Sequence, residues 1–424
     1  MSAFLRLCGL LLVAILIAQV NDWHVLDRVA LAVSAVLICA YLWSRISLRG
    51  LTVVRRVASD RAQVGQPLRE QIAVLNRGWL AKLWVEVRDV STFPNHRASR
   101  VIHVRGRGRM EWIVETICAR RGRYHLGPLR MRSGDPFGLF PASLTAPTTV
   151  EVVVYPAAVD VTGFPLPLGQ LTGGVTSNRR TPFLNASVSG IREYVPGDAY
   201  NRISWSATAR QNRLMVKEFD EDPTADVWIV LDLDQQHSVR AMRPPTVTMD
   251  RHGQWPIEAW LDATEEYAVT IAASLAHRSL DLGRSVGMIA SGAHYEVLPS
   301  DRSDRQYLKM LEALAVVQAD GPRSLAEVLV REARRFTKQS TLLVITSSTD
   351  ESWVRALAEI AARRVRAAAI LVEPETFGEA PSSLMVVSGL LASGIPTHLV
   401  KYGEPISAAL AASGAVATGM GSRG

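Results

Sequence analysis

DVWIVLDLD, residues 226–234, is the stretch that decides the fold of the larger part of this chain. Its side chains are apolar on both faces of an extended backbone, as in a strand buried in the middle of a parallel sheet. Beyond it, helical patterns alternate with further short apolar runs, which lie at 285–291, 341–348, 366–374 and 397–403. Strand–helix alternation with short connections predicts a doubly wound parallel α/β domain over residues 224–424, whose ligands we expect at the carboxyl ends of the strands.

The sequence before this domain has a period of two residues. Short runs rich in β-branched residues, such as LTVVRRVAS (51–59) and MEWIVETI (110–117), are separated by Gly, Asn and Pro. This pattern predicts a β-sandwich-like domain over residues 45–155. Residues 45–135 hold 19 Lys and Arg against 7 Asp and Glu. Beside an apolar N-terminus, such a basic block favours anionic lipid headgroups over nucleic acid, and solvated strand faces without a ligand are the alternative.

Two apolar runs open the chain, at 7–20 and 29–43, and a short polar loop separates them. Neither run carries a charge in its middle, and together they predict a hairpin of two transmembrane helices within residues 1–44. A cleaved signal peptide is the alternative for the first run. Because arginines cluster after the second run, we expect a multi-pass protein of the inner or plasma membrane with the bulk of the chain in the cytoplasm.

Residues 156–223 contain the dense stretch GIREYVPGDAYNRISWSATARQNRLMVKEF, which we call the 190–219 segment. A Pro-Gly pair suits the centre of a type II turn closed by an Asp. The arginines are expected to pair with carboxylates, and Trp205 and Phe219 are expected to be buried anchors. The segment is then either a structural scaffold or a surface that docks a partner. The residues assigned to these roles are Arg192, Tyr194, Pro196, Gly197, Asp198, Arg202, Trp205, Arg210, Glu218 and Phe219.

Two long motifs stand out in the chain. The first reads R-x-Y-x-P-G-D and then R-I-x-W-x-A-x-A-R over residues 192–210, and a short strand ending in Glu218 and Phe219 follows. The second is RRGRYHLGPLRMRSGDPFGLF, residues 120–140. Both motifs resemble those of the domain-of-unknown-function 58 (DUF58) family. The resemblance covers nearly the whole chain and implies a von Willebrand factor A-like α/β domain. It also implies a membrane-tethered assembly or adaptor protein, whose partners are a MoxR-type AAA+ ATPase and often a transglutaminase-like membrane protein.

The loop after the first α/β strand decides whether a metal is expected. Metal-binding von Willebrand A domains present D-x-S-x-S there, whereas this chain has Asp232, Asp234 and Gln236 at the three positions. After the strand that begins at 341, where a further Asp would be needed, the chain has Ser347. Asp232 and Asp234 could still share one hard cation such as Mg²⁺. We nevertheless expect a degenerate loop without metal, and therefore no cofactor.

Sequence motifs of several enzyme classes are missing. The chain has no GxxxxGK[ST] phosphate loop, no GxSxG elbow and no HExxH, and its nine histidines are scattered. We therefore expect a non-enzymatic, membrane-anchored interaction protein that works with a MoxR-type ATPase and binds no nucleic acid. The alternatives are a metal-dependent ligand-binding or adhesion-type von Willebrand A protein, and a hydrolase whose catalytic residues are far apart in the sequence.

Overall fold

The computed structural model describes residues 24–167, 188–194, 203–219, 226–245, 247–249 and 255–412, together with Gly9 and Val13. The chain forms two compact units. The first contains Met1–Ala157, Thr246–Leu261 and Leu311–Val317, and the second contains Ala158–Pro245, Asp262–Met310 and Gln318–Gly424. Each unit has hydrophobic clusters of its own.

An apolar helix, α1 (His24–Ser47), lies at the start of the first unit. Its residues Arg28–Ser47 are long and apolar enough to cross a membrane, since 20 helical residues span about 30 Å. This helix contains the second predicted apolar run, 29–43, and is mostly exposed. The first predicted run, 7–20, lies outside the described residues apart from Gly9 and Val13, so the hairpin stays a prediction.

The rest of the first unit is rich in strands, as predicted. An antiparallel sheet has the order β1-β3-β6, from β1 (Leu51–Val57), β3 (Pro67–Asn76) and β6 (Arg109–Ile117). A second antiparallel sheet has the order β5-β4-β8-β9, from β5 (Arg100–Val104), β4 (Lys82–Asp89), β8 (Leu129–Ser133) and β9 (Ala142–Ala146). A smaller sheet has the order β2-β10-β7, from β2 (Arg61–Gln63), β10 (Val150–Tyr155) and β7 (Gly122–Leu126).

The two antiparallel sheets share one hydrophobic core. Ile72 and Val74 of β3 are fully buried in the same cluster as Val85 and Val87 of β4. Each pair is separated by two positions, because alternate side chains of a strand point to the same face. Apolar faces of two sheets that pack together in this way form a sandwich-like core.

A quartet of charged side chains lies in this unit, and we call it the Arg55 quartet: Arg55, Glu70, Asp89 and His96. Arg55 Nε lies 3.0 Å from Glu70 Oε2, and Arg55 Nη2 donates a hydrogen bond of 2.7 Å to Asp89 Oδ2. His96 Nε2 lies 2.9 Å from Asp89 Oδ2 and 3.1 Å from Glu70 Oε1. All four side chains are at most 3% exposed. Since β1, β3 and β4 supply three of them, the quartet connects the two sheets.

The charges of the Arg55 quartet balance when His96 is protonated. Burial alone would lower the pKa of His96, but the carboxylates of Asp89 and Glu70 outweigh burial and raise it to about 9. Burial alone would raise the pKa of Asp89, but His96 and Arg55 outweigh burial and lower it. Two cations therefore face two anions near neutral pH, which is the arrangement that makes buried charge tolerable.

A six-stranded sheet forms the centre of the second unit. Its spatial order is β15-β14-β13-β16-β17-β18. The strands are β13 (Val227–Asp232), β14 (Val286–Ser291), β15 (Tyr295–Asp301), β16 (Thr341–Thr346), β17 (Arg366–Val372) and β18 (Thr397–Val400). The helices that alternate with them are α3 (Thr264–Asp281), α4 (Asp304–Val316), α5 (Leu325–Glu332), α6 (Ser352–Ala362), α7 (Leu384–Ala392) and α8 (Ile406–Ala412).

The predicted α/β domain is confirmed as a mixed rather than a parallel sheet. Strand β13 is buried at every position and pairs in parallel with both β14 and β16. Strand β15 is antiparallel to β14, so the prediction of a purely parallel sheet was wrong at this edge. Only residues 292–294 connect β14 to β15, and a parallel crossover needs a dozen or more residues.

A two-stranded sheet carries the described parts of the 190–219 segment. Strand β11 (Val188–Glu193) pairs antiparallel with β12 (Met215–Phe219). A short helix, α2 (Trp205–Gln211), precedes β12 and ends at Asn212, which has a left-handed backbone with φ of 50°. The left-handed conformation at a helix end reverses the chain direction, and Asn tolerates it better than most residues.

We predict that the stability of the first unit falls as pH rises through 9. The pKa of folded His96, about 9, is above its ordinary value of 6.5. The contribution of protonated His96 to the free energy of unfolding is therefore complete below about pH 6.5 and is lost as pH rises through 9. This contribution is at most about 3 kcal/mol. Denaturant unfolding of the purified chain in detergent from pH 6 to pH 10 measures this loss.

The matched variants for this experiment are His96→Gln and His103→Gln. The His103 side chain is exposed on β5, so its substitution should leave the alkaline loss of stability unchanged. The loss should be absent in His96→Gln. An equal alkaline loss in wild type and His96→Gln would show that His96 is not protonated in the folded state.

Candidate functional site

The carboxyl edge of strands β13 and β16 is the candidate functional site. Strand β13 leads to β14 on one side of the sheet, and β16 leads to β17 and β18 on the other. The strand order therefore reverses between β13 and β16. In open α/β sheets, ligands bind in the crevice at the carboxyl ends of the strands where the order reverses. Asp232 ends β13 and Thr346 ends β16, so both residues lie at this point.

Asp232 is buried and is held by protein donors. Thr346 Oγ1 donates a hydrogen bond of 2.6 Å to Asp232 Oδ2, and the backbone N of Asp234 donates one of 3.2 Å to Asp232 Oδ1. The Thr346 hydroxyl accepts in turn from the backbone N of Ser348 at 2.8 Å. Burial raises the pKa of Asp232, and the hydrogen bonds from Thr346 and Asp234 oppose this rise.

Asp234 caps the short 3₁₀ helix Gln235–His237. Its Oδ1 accepts a hydrogen bond of 3.0 Å from the backbone N of Gln236, and its Oδ2 lies 3.3 Å from His237 Nδ1. The hydroxyl of Ser347 donates to the carbonyl oxygen of His237 at 2.7 Å. The loops after β13 and β16 are therefore joined by side-chain hydrogen bonds.

A row of polar residues crosses three neighbouring strands at this edge. Asp232 pairs in register with Ser291 at the end of β14, and Thr346 lies on the other side. The Ser291 hydroxyl is buried, and no hydrogen-bond partner for it lies within the described part of the chain. Sequence reasoning identified Asp232 but missed Ser291 and Thr346, although both stand at the end of an apolar run, where site residues of α/β sheets are expected.

The donor set at this edge does not offer a ready cation site. The oxygens of Asp232 already accept from Thr346 and Asp234, and those of Asp234 face Gln236 and His237. The Gln236 side chain is exposed. A hard cation needs several oxygen ligands that converge on one point. The arrangement instead serves to connect two loops.

Trp205 is not the buried anchor that the sequence predicts. Its side chain is 69% exposed, and none of the residues of α2 is buried. Ile203, which precedes the helix, and Met215 and Val216, which follow it, are buried instead. A single Trp in a dense motif does not reveal which face of a short helix packs inward, and here the smaller apolar residues on both sides of the helix supply the core contacts.

The arginines next to Trp205 are exposed as well. Arg210 and Arg213 face solvent, and Arg213 Nη1 lies 3.7 Å from Glu193 Oε2 in a solvent-exposed pair. Pairs of this kind contribute little to stability. The described part of the segment therefore presents a tryptophan and two arginines on its surface.

The other predicted residues of the segment are placed only in part. Pro196, Gly197, Asp198 and Arg202 lie outside the described residues. The backbone of Tyr194 donates to the carbonyl oxygen of Leu214 at 2.8 Å. Three residues are described by strand register alone, with Arg192 opposite Val216, Glu218 opposite Gly190 and Phe219 opposite Val188.

Comparison with known proteins identifies relatives of uncharacterised function. Residues 190–377 match a family model described as "Protein of unknown function DUF58". "Uncharacterized protein YeaD" of Bacillus subtilis is 25% identical over 247 residues, which is 58% of this chain and 55% of the relative. "Uncharacterized protein Rv1480" of Mycobacterium tuberculosis is 26% identical over 188 residues, 43% of this chain and 54% of the relative. The chain thus spans about half the length of the curated relatives it matches.

Solved structures give a weaker likeness. The CARDB domain of the PF1109 protein from Pyrococcus furiosus, in complex with di-metal ions, has a TM-score of 0.20 and 16% identity. The match covers 24% of this chain and 91% of the CARDB chain.

We predict that the purified chain binds Mg²⁺ or Mn²⁺ no more tightly than about millimolar, which corresponds to about −4 kcal/mol. The reason is that protein donors already occupy the carboxylates of Asp232 and Asp234. Isothermal titration calorimetry of wild type and Asp232→Ala measures this affinity. Micromolar binding that disappears in Asp232→Ala would establish a metal site at this edge.

Proposed function

We propose that this chain, a DUF58 protein over residues 190–377, is a non-enzymatic, membrane-anchored interaction protein. Its proposed partner, which it docks, is a MoxR-type AAA+ ATPase. The ATPase as partner comes from the family resemblance. The docking role rests on the surface of the 190–219 segment. A transglutaminase-like membrane protein is proposed as a further member of the same assembly.

The exposure of Trp205 is the observation that carries this proposal. A tryptophan side chain that is 69% exposed leaves a large apolar area in water, and the helix that bears it contributes no buried residue to the unit. Trp and Arg are the residues that dominate binding energy in protein interfaces. Exposed Arg210 and Arg213 lie within eight positions of Trp205 along the chain. This combination suits a docking surface better than a scaffold.

The carboxyl edge of β13 and β16 is proposed as a second docking element on a von Willebrand A-like domain. Support comes from Asp232, which stands where such domains carry the first residue of D-x-S-x-S. The alternative of a metal-dependent ligand-binding or adhesion protein would require carboxylate oxygens that are free to coordinate an ion. In the described residues, the oxygens of Asp232 and Asp234 face protein groups instead.

Membrane anchorage is the third part of the proposal. Helix α1 is apolar and long enough to span a membrane, and we propose that residues 7–20 form a second span beside it. The strand-rich domain that follows is basic, with 19 Lys and Arg against 7 Asp and Glu over residues 45–135. Basic segments beside a membrane span favour the cytoplasmic side and anionic lipid.

We predict that Trp205→Ala leaves folding nearly unchanged and weakens ATPase binding by about tenfold or more. An exposed side chain changes stability by only about 0.5 kcal/mol, whereas a hot-spot Trp contributes about 2 kcal/mol or more to an interface. Affinity capture of the ATPase from solubilised membranes, with and without ATP, measures binding, and a thermal melt of each variant measures folding. Arg210→Ala should likewise leave folding nearly unchanged and weaken ATPase binding.

Trp79→Ala is the matched control, because Trp79 is 82% exposed and lies in the strand-rich unit. Its substitution should leave ATPase capture unchanged. Normal capture by both Trp205→Ala and Arg210→Ala would remove the docking role from this segment. A severe loss of thermal stability in Trp205→Ala would restore the buried-anchor interpretation.

We predict that a reporter fused after Gly424 is cytoplasmic. The arginines in the last turn of α1 and just after it, such as Arg45 and Arg49, favour the cytoplasmic side of the membrane. A fluorescent protein should be active at this position and alkaline phosphatase should be inactive. A fusion between residues 21 and 27 should give the opposite pattern if residues 7–20 form a second span. Active alkaline phosphatase after Gly424 would place the bulk of the chain outside the cytoplasm.

A further inference from the structure

A groove of about 1210 Å³ lies in the first unit between α1 and strand β9. The helix lines it with Leu37, Ile38 and Tyr41, and the chain around β9 lines it with Phe140 and Leu144. The rings of Tyr41 and Phe140 meet edge to face, with centroids 5.6 Å apart. The groove is therefore mainly apolar and is bounded on one side by the helix that could span a membrane.

One end of the groove is basic. Arg45 and Arg49 line it there, and both side chains are exposed. The Nζ of Lys82 donates to the carbonyl oxygen of Ile46 at 2.6 Å, so a buried ammonium already satisfies the end of the helix. Within the described part of the chain, the side chains of Arg45 and Arg49 have no ion pair or hydrogen bond, so both are available to an anion from outside the chain.

The apolar and basic parts follow one another along the helix. On the helix side of the groove, the lining residues extend from Ser34 to Leu51. The part of α1 that is apolar and long enough to span a membrane is Arg28–Ser47, so most of this lining belongs to it. About 1.5 Å of rise per residue places Leu37 roughly 12 Å from Arg45 along the helix axis. A membrane-spanning helix with arginines near its end has those arginines at headgroup level and its preceding turns at acyl-chain level.

We propose that this groove binds one anionic phospholipid, with an acyl chain along Leu37, Ile38 and Phe140 and the phosphate between Arg45 and Arg49. The charge of the two arginines selects an anionic headgroup, and the apolar lining accepts the chain. This proposal rests on the membrane anchorage proposed above and is independent of ATPase docking. It assigns a specific lipid contact to two arginines of the basic block.

Native mass spectrometry of the full chain tests the proposal. The protein is taken up in nanodiscs that contain equal amounts of phosphatidylglycerol and phosphatidylcholine with identical acyl chains, and the retained lipid is counted after release. Wild type should retain about one phosphatidylglycerol in preference to phosphatidylcholine. The double variant Arg45→Gln/Arg49→Gln should lose this preference by about tenfold, as removal of two basic contacts to an anionic headgroup implies.

Two further variants separate the groove from general charge. Ser143 is exposed and lines the groove, so Ser143→Trp should fill it and reduce retained lipid without any change of charge. Arg130→Gln/Arg132→Gln removes the same charge from exposed positions of β8 and should behave as wild type. Equal retention of both lipids by wild type, or equal retention by all variants, would overturn the proposal.

Other occupants give distinct results. Release of the bound lipid by inorganic phosphate, together with equal retention in Ser143→Trp and wild type, would mean that the arginines bind a phosphate group without the apolar groove, and would overturn the proposal. Selective lipid binding that appears only after deletion of residues 1–23 would make the chain's own N-terminus the occupant, and would overturn the proposal for the intact chain. Resistance of the chain to alkaline carbonate extraction tests membrane anchorage separately, so a failed lipid site and a failed anchor are distinguishable.

Discussion

A charge that leaves water must be matched by other protein groups, and this constraint shapes both units of the chain. In the first unit, Arg55 can stay buried because Glu70 and Asp89 face it, and His96 balances the second carboxylate. Loss of one partner from a buried pair costs about 3–5 kcal/mol, since an uncompensated charge remains. The two antiparallel sheets therefore cannot shift against each other without separating these charges.

The same constraint explains the carboxyl edge of the second unit. Asp232 is buried where the strand order reverses, so its carboxylate must receive hydrogen bonds, and Thr346 and the backbone of Asp234 supply them. A carboxylate that protein donors already satisfy holds its two loops together, but it does so at the expense of its capacity to bind a cation. The hydroxyl of Ser347, which donates to the carbonyl oxygen of His237, adds a second connection between the loops after β13 and β16.

The sequence predicted elements whose signal is local and missed those that depend on distant partners. Strand β13 is apolar at nearly every position, and that composition alone predicts burial on both faces. Thr346, in contrast, is 114 positions from Asp232, so no spacing rule connects them. Strand β15 escaped prediction because it contains Pro299 and follows β14 after three residues. The burial of Trp205 was wrongly predicted because hydrophobicity alone does not show whether a side chain of a short helix points to the core or to solvent.

The two family motifs differ in how far the fold accounts for them. In the 120–140 motif, Gly127 has a φ of 95°, and a Cβ there would lie 2.4 Å from the carbonyl oxygen of Thr148 and 2.9 Å from Arg55 Nη1. Asp135 is buried and accepts from the backbone of Phe137. These residues are needed to build the strand-rich unit. Trp205 has no such explanation, because its side chain is exposed and its helix adds nothing to the core. The described part of the fold therefore gives a structural reason for Gly127 and Asp135 but none for Trp205, and it is on this difference that we propose the docking role for the 190–219 segment rather than for the 120–140 motif.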